Sequence, residues 1–208
     1  MPDPALDEAI REAYASAPSD TVILHTLELR HPAFVGDGGE PTAIRVVRNF
    51  ADEATWLDLG GAEVQAVLDA LPEDARGRVG LVARLEADAP VEAGRMVPFI
   101  ALGFELDQPP VDAAPVPEIA VTLDNVGREI VRHLDAAAES LERIEVTYRP
   151  WLSTDIEGPQ MDPPVTLTLT EVEADVFRAT GRARMLDIGN LAFPADLYTA
   201  ARFPGLTR

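Results

Sequence analysis

The chain has 208 residues and carries 36 aspartates and glutamates against 17 basic residues, a formal net charge of −19. Nucleic-acid affinity comes mainly from basic side chains that displace counterions from phosphates, so this balance, with no basic patch in the sequence, excludes a sequence-reading DNA or RNA binder. The absence of cysteine excludes disulfide frameworks, thiolate zinc sites, iron–sulfur clusters and cysteine nucleophiles, while a hydrophobic content of 47% is that of a folded chain.

From the N-terminus, Leu6, Ile10 and Tyr14 recur at steps of four with acids between them, which predicts a short amphipathic helix over residues 3–15, before Pro18. Residues 21–29 are rich in β-branched side chains and alternate Leu24, Thr26 and Glu28 against His25, Leu27 and Leu29, a strand. A loop with Gly36, Gly38 and Gly39 leads into a second strand over 42–49, paired with the first as a hairpin. Over 52–88 the apolar pattern allows a helix at 62–71 or a hairpin with a long excursion. Residues 79–86 and 95–107 predict two strands that pair with each other.

The stretch 108–117 carries Pro109, Pro110, Pro115 and Pro117 and reads as a stiff connector, either a domain boundary or a long crossover within one domain spanning 1–208. Beyond it come a strand at 119–123, cap residues Asp124 and Asn125, and a helix over 126–141 with Ile130, Val131, Leu134, Ala138 and Leu141 on one side. A strand over 143–152, a hairpin of 164–173 with 176–188, and a short strand near 197–202 complete the chain. Eight or nine strands against two or three helices predict a mainly β (α+β) protein, a β-barrel or β-sandwich with one central helix and a short N-terminal one.

The residues that carry chemistry elsewhere are poorly placed here. His25, His31 and His133 have no metal-ligand spacing, and Glu129 with His133 lacks the H-E-x-x-H pattern. The acidic glycine loop 36–40 lacks the calcium-loop order of ligands. No serine sits in a G-x-S-x-G elbow, no phosphate-binding glycine motif is present, and with 36 acids no carboxylate pair is singled out. Neither an enzyme activity nor a cofactor or metal is therefore expected. All 17 basic residues are arginines, which suits codon bias or planar bidentate contacts, so Arg128, Arg132 and Arg143 are candidate interface residues. Trp56 and Trp151 read as core residues or interface anchors. The longest apolar run, 96–104, is far short of the ~20 residues of a membrane span, and the acidic start is no signal peptide, so synthesis in the cytoplasm without a membrane partner is expected.

The order Leu123-Asp124-Asn125-Val126 at a strand-to-helix junction, followed by Val146-Thr147-Tyr148-Arg149 and Leu152, resembles a family of minor tail proteins of long-tailed phages and prophages, first described only as a domain of unknown function. Tyr14-Ala15-Ser16-Ala17, the first strand with His31-Pro32, and the ending Asn190, Phe193-Pro194, Tyr198 and Phe203-Pro204-Gly205-Leu206 belong to the same likeness, which is weakest over 62–93. The resemblance implies a virion structural protein of the tail tip, a distal tail or baseplate hub ring with a β-barrel related to the tail-tube fold. Its implied partners are further copies of the chain in a ring (six favoured, three possible), the tail-tube protein, the tape-measure protein and the central receptor-binding tip protein. DNA would pass through the lumen unbound, repelled by carboxylates. The interface residues expected on this reading are Phe34 and the loop with Gly36, Gly38 and Gly39 as a contact arm, Arg128 and Arg132, and the apolar anchors Trp151 and Phe203. A tail assembly chaperone, or a tip-associated envelope hydrolase, is the alternative.

Overall fold

A computed structural model describes residues 21–36, 38–48, 53–107, 118–124, 128–174 and 178–184. Among the described residues nine strands form one mixed sheet: β1 (Ile23–Val35), β2 (Pro41–Val47), β3 (Val79–Arg84), β4 (Met96–Ala101), β5 (Phe104–Asp107), β6 (Glu118–Asp124), β7 (Glu145–Leu152), β8 (Val165–Ala174) and β9 (Arg178–Arg184). Their order is β3-β4-β2-β1-β7-β8-β9-β6-β5, antiparallel throughout except for β2 beside β4. Three helices accompany them: α1 (Glu53–Asp69), α2 (Glu73–Arg76) and α3 (Arg128–Ala138). The expected N-terminal helix, the proline connector and the strand near 197–202 lie outside the described residues.

The mainly β class and the two hairpins, β1/β2 and β8/β9, follow the expectation, as does the pairing of β3 with β4. The barrel or sandwich does not: the sheet is open, with β3 and β5 as its outer strands. The strand expected over 95–107 breaks at Leu102 and Gly103, so β4 pairs with β2 and β3 while β5, two residues later, pairs with β6 at the far end of the order. One short link therefore joins the two ends, and the sheet must curl to allow it. The ladder between β2 and β4 holds only Val46↔Ile100 and Val47↔Ala101 before the chain turns away. Past it, the Leu102 N–H still donates to the Val47 carbonyl at 3.0 Å. Beyond that point Ile44, Val46, Leu102 and Phe104 share one buried cluster, so side chains rather than backbone bonds finish the curl.

Inside the curl lies α3, presenting Ile130, Leu134 and Ala137 to Leu27, Leu29, Val146 and Leu167 of the sheet. This face differs from the expected one: Ala138 is exposed and Leu141 falls beyond the helix, fully exposed, because the helix ends at Ala138. A second core covers the other face, where Trp56, Val64 and Leu68 of α1 pack with Leu24, Val47, Leu81, Phe99 and Trp151. Helix α1 is two helical stretches that meet at the non-helical Gly61 (φ 53°, ψ −127°), a conformation that glycine adopts without a Cβ clash; the second stretch follows the expected helix at 62–71, and the first, from Glu53, was not expected.

Gly80 sits where β3 slips register against β4, between Val79 and Leu81. A Cβ there would stand 2.7 Å from Val47 Cγ1, which is held in the second core, and 2.9 Å from Ala101 Cβ. Gly80→Ala is expected to cost about 1–3 kcal/mol as an overpacked core does, read as a lower urea midpoint with an unchanged slope.

Candidate functional site

Strand alternation puts Thr26, Glu28 and Arg30 of β1 on one face, beside Arg45 of β2 and Thr147, Arg149 and Trp151 of β7. The ladder sets Glu28 opposite Arg45 on one side and Thr147 on the other, and Arg30 opposite Glu145. Such a polar row would ordinarily face water, yet all of these except Glu145 are buried. Segment 85–95, between β3 and β4, covers them and supplies two more carboxylates, Glu86 and Glu92.

Glu28 is the hub. Its Oε2 accepts from Arg45 Nε at 2.7 Å, and its Oε1 lies 3.2 Å from Arg149 Nη1 and 3.7 Å from Arg30 Nε. The latter two contacts are electrostatic only, without the alignment of a hydrogen bond. Arg149 donates from Nε to Glu86 Oε2 at 2.8 Å and from Nη2 to Glu86 Oε1 at 2.5 Å, a bidentate pair. Arg45 Nη1 donates to Glu92 at 2.6 Å, and Arg30 Nη2 to Glu145 at 3.0 Å. Burial by itself opposes the charge on Arg149, but the hydrogen bonds to Glu86 and the charges of Glu28 and Glu86 outweigh it and raise the guanidinium above the ordinary arginine range. Glu92 reaches Arg45 from a left-handed backbone (φ 56°), an uncommon conformation for a side chain of its size. Four acids thus surround three arginines, and chemically the cluster is a largely buried ion-pair clamp that ties β1, β2 and β7 to segment 85–95.

The histidines serve separate places. His31 Nδ1 accepts from the Ala33 N–H at 3.0 Å and its Nε2 faces the Glu142 carbonyl at 3.3 Å, while His133 packs on Phe34 with ring centroids 5.2 Å apart. Among the described residues no three His, Asp or Glu side chains gather as a metal site requires. His25 shares a 2.7 Å hydrogen bond with the Tyr148 hydroxyl, and burial, with Arg48 as the smaller cause, holds its imidazole below the ordinary value. The native state then binds this proton less readily than the unfolded chain does. Its stabilising contribution is present above the unfolded value of about 6.5 and is lost as pH falls through the lower folded value. Wild type minus His25→Asn, compared by urea midpoint at several pH values, is therefore expected to decline on acidification below about 6.5.

Of the residues anticipated as contacts, Phe34 and Trp151 are buried within the chain itself, in different cores. The hairpin tip is closed by Gly36 N–H to Glu40 O and Gly39 N–H to Gly36 O, both 2.9 Å, with Gly38 and Gly39 exposed. Gly39 needs its positive φ of 83° for this turn. Arg132 is exposed on α3, where Arg128 begins the helix with its side chain outside the described residues, as is all of Phe203. The buried cluster was not anticipated; its only trace in the sequence is the charged alternation Glu28, Arg30 within a strand otherwise fit for a core.

In comparison with family profiles, a domain of unknown function, DUF1833, matches residues 9–198. No curated protein matches the chain.

Proposed function

We propose, of a chain that belongs to the DUF1833 family of domains of unknown function, that it is a structural subunit of a long-tailed phage tail tip. In this reading copies of the chain join into a ring, six favoured over three, that continues the tail-tube channel and meets the tube, the tape-measure protein and the receptor-binding tip. The observation that carries it is the architecture: one β-sheet curled round a helix, with a charged cluster largely buried on its other face and strand edges at β3 and β5. Such a subunit offers surface and edge to its surroundings, which suits assembly, and a closed ring covers edges that otherwise invite aggregation. The likeness to minor tail proteins in the order of residues along the chain supports the same reading, and a net charge of −19 suits a lumen that repels passing DNA.

Light scattering on the purified full chain tests the ring. A single species of six or three times the 22.4 kDa subunit mass is expected. One subunit per particle at every concentration is the contrary result.

A further inference from the structure

We propose that the end of β8, residues 170–173, is a strand-addition site for an extended segment of another chain that carries arginine or lysine at alternate positions. The ladder between β7 and β8 stops at Glu145↔Thr168, with a last bond from the Leu169 N–H to the Ile144 carbonyl at 2.8 Å. Strand β8 continues to Ala174, paired on its other side with β9 through Glu171↔Arg182, Val172↔Gly181 and Glu173↔Thr180. Toward β7, no strand among the described residues pairs with this overhang, and residues 170–173 are all exposed, Val172 to 40%. Backbone groups on such an edge are the template on which an extended peptide adds as a further strand.

Charge selects the occupant. Glu171 and Glu173 flank Val172, and an antiparallel second copy of the same overhang would set glutamates against glutamates, which cross-strand pairing disfavours. Glu171 has a solvent-exposed contact with Arg182 at 3.5 Å, too screened to cancel its charge. A basic segment answers both acids, and an apolar residue between its cations covers Val172. On the sheet face beside the overhang lies a groove of about 280 Å³ walled by Thr122, Thr180, Glu171, Glu173 and Arg182. Gly181 also lines it; a Cβ there would point toward the core and meet Leu169 Cδ2 at 2.6 Å. With strands ~4.8 Å apart, a long side chain of the added strand crosses β8 to reach this groove.

The site stands on the ladder alone and does not depend on the tail-tip reading. The test is amide hydrogen exchange on the full chain with a short synthetic peptide of alternating arginine and valine. Exchange is expected to slow by about tenfold or more at the amides of residues 170–173 that face away from β9, with no slowing under a glutamate–valine peptide. The exposed double variant Glu171→Arg/Glu173→Arg should lose the effect while keeping the wild-type exchange pattern elsewhere. Protection spread over other acidic surface, equal protection by the acidic peptide, or none at residues 170–173 overturns the proposal.

Discussion

Arg149→Met is expected to lower stability by about 3–5 kcal/mol, because removing one partner of a buried ion pair leaves the other charge uncompensated. Two charges are stranded by this change. Glu86 lies at the edge of the cluster and regains water if segment 85–95 lifts, but Glu28 is fully buried and keeps only Arg45 and the more distant Arg30. The methionine fills much of the arginine stem's volume, so the loss reports charge more than cavity. Glu28→Gln in the same background should recover part of it, since the hub then carries no charge to strand, and the two single changes should not add. Urea unfolding followed by the fluorescence of Trp56 and Trp151 measures all of these. A loss below about 1 kcal/mol, the size of an exposed ion pair, would mean that water enters the cluster freely.

Trp151→Ala is expected to cost about 3–5 kcal/mol, as truncating a buried tryptophan does. The ring is wholly buried, meets Phe99 edge-on at 6.0 Å, and donates from Nε1 to Thr26 Oγ1 at 3.2 Å. Thr26 in turn donates to the Arg149 carbonyl at 2.8 Å, so the indole N–H joins a short chain of bonds between β1 and β7. Trp151→Phe keeps most of the apolar contact and loses the N–H, and should cost about 1–2 kcal/mol. These variants also separate two roles for the residue. A core tryptophan changes the denaturation midpoint of the isolated chain, whereas an interface anchor changes assembly and leaves that midpoint alone.

How far the sequence foretold the fold depends on where each element's information lies. The β8/β9 hairpin was legible because Thr166, Thr168 and Thr170 alternate with Leu167 and Leu169, a local signal that the sheet obeys. The curl was not, because the break at Leu102 and Gly103 interrupts an otherwise continuous apolar run and only the distant partner β6 gives it meaning. The second stretch of α1 was legible in the spacing of Val64, Val67, Leu68 and Leu71, whereas the first, ahead of the non-helical Gly61, takes its meaning from the burial of Trp56 against distant strands. The charged cluster was the least legible part. Glu28, Arg45, Glu86, Glu92 and Arg149 come from separate segments with no spacing rule, and an acid or arginine in a strand is indistinguishable by pattern from a solvent-facing one until its partner arrives in space.

The central claim is that this chain is built into a virion, and quantitative peptide mass spectrometry of purified long-tailed particles from a strain carrying its gene tests it most directly. Peptides of the chain are expected in every preparation, at a constant six or three copies per particle. Particles free of the chain, with its peptides confined to the host lysate, would contradict it.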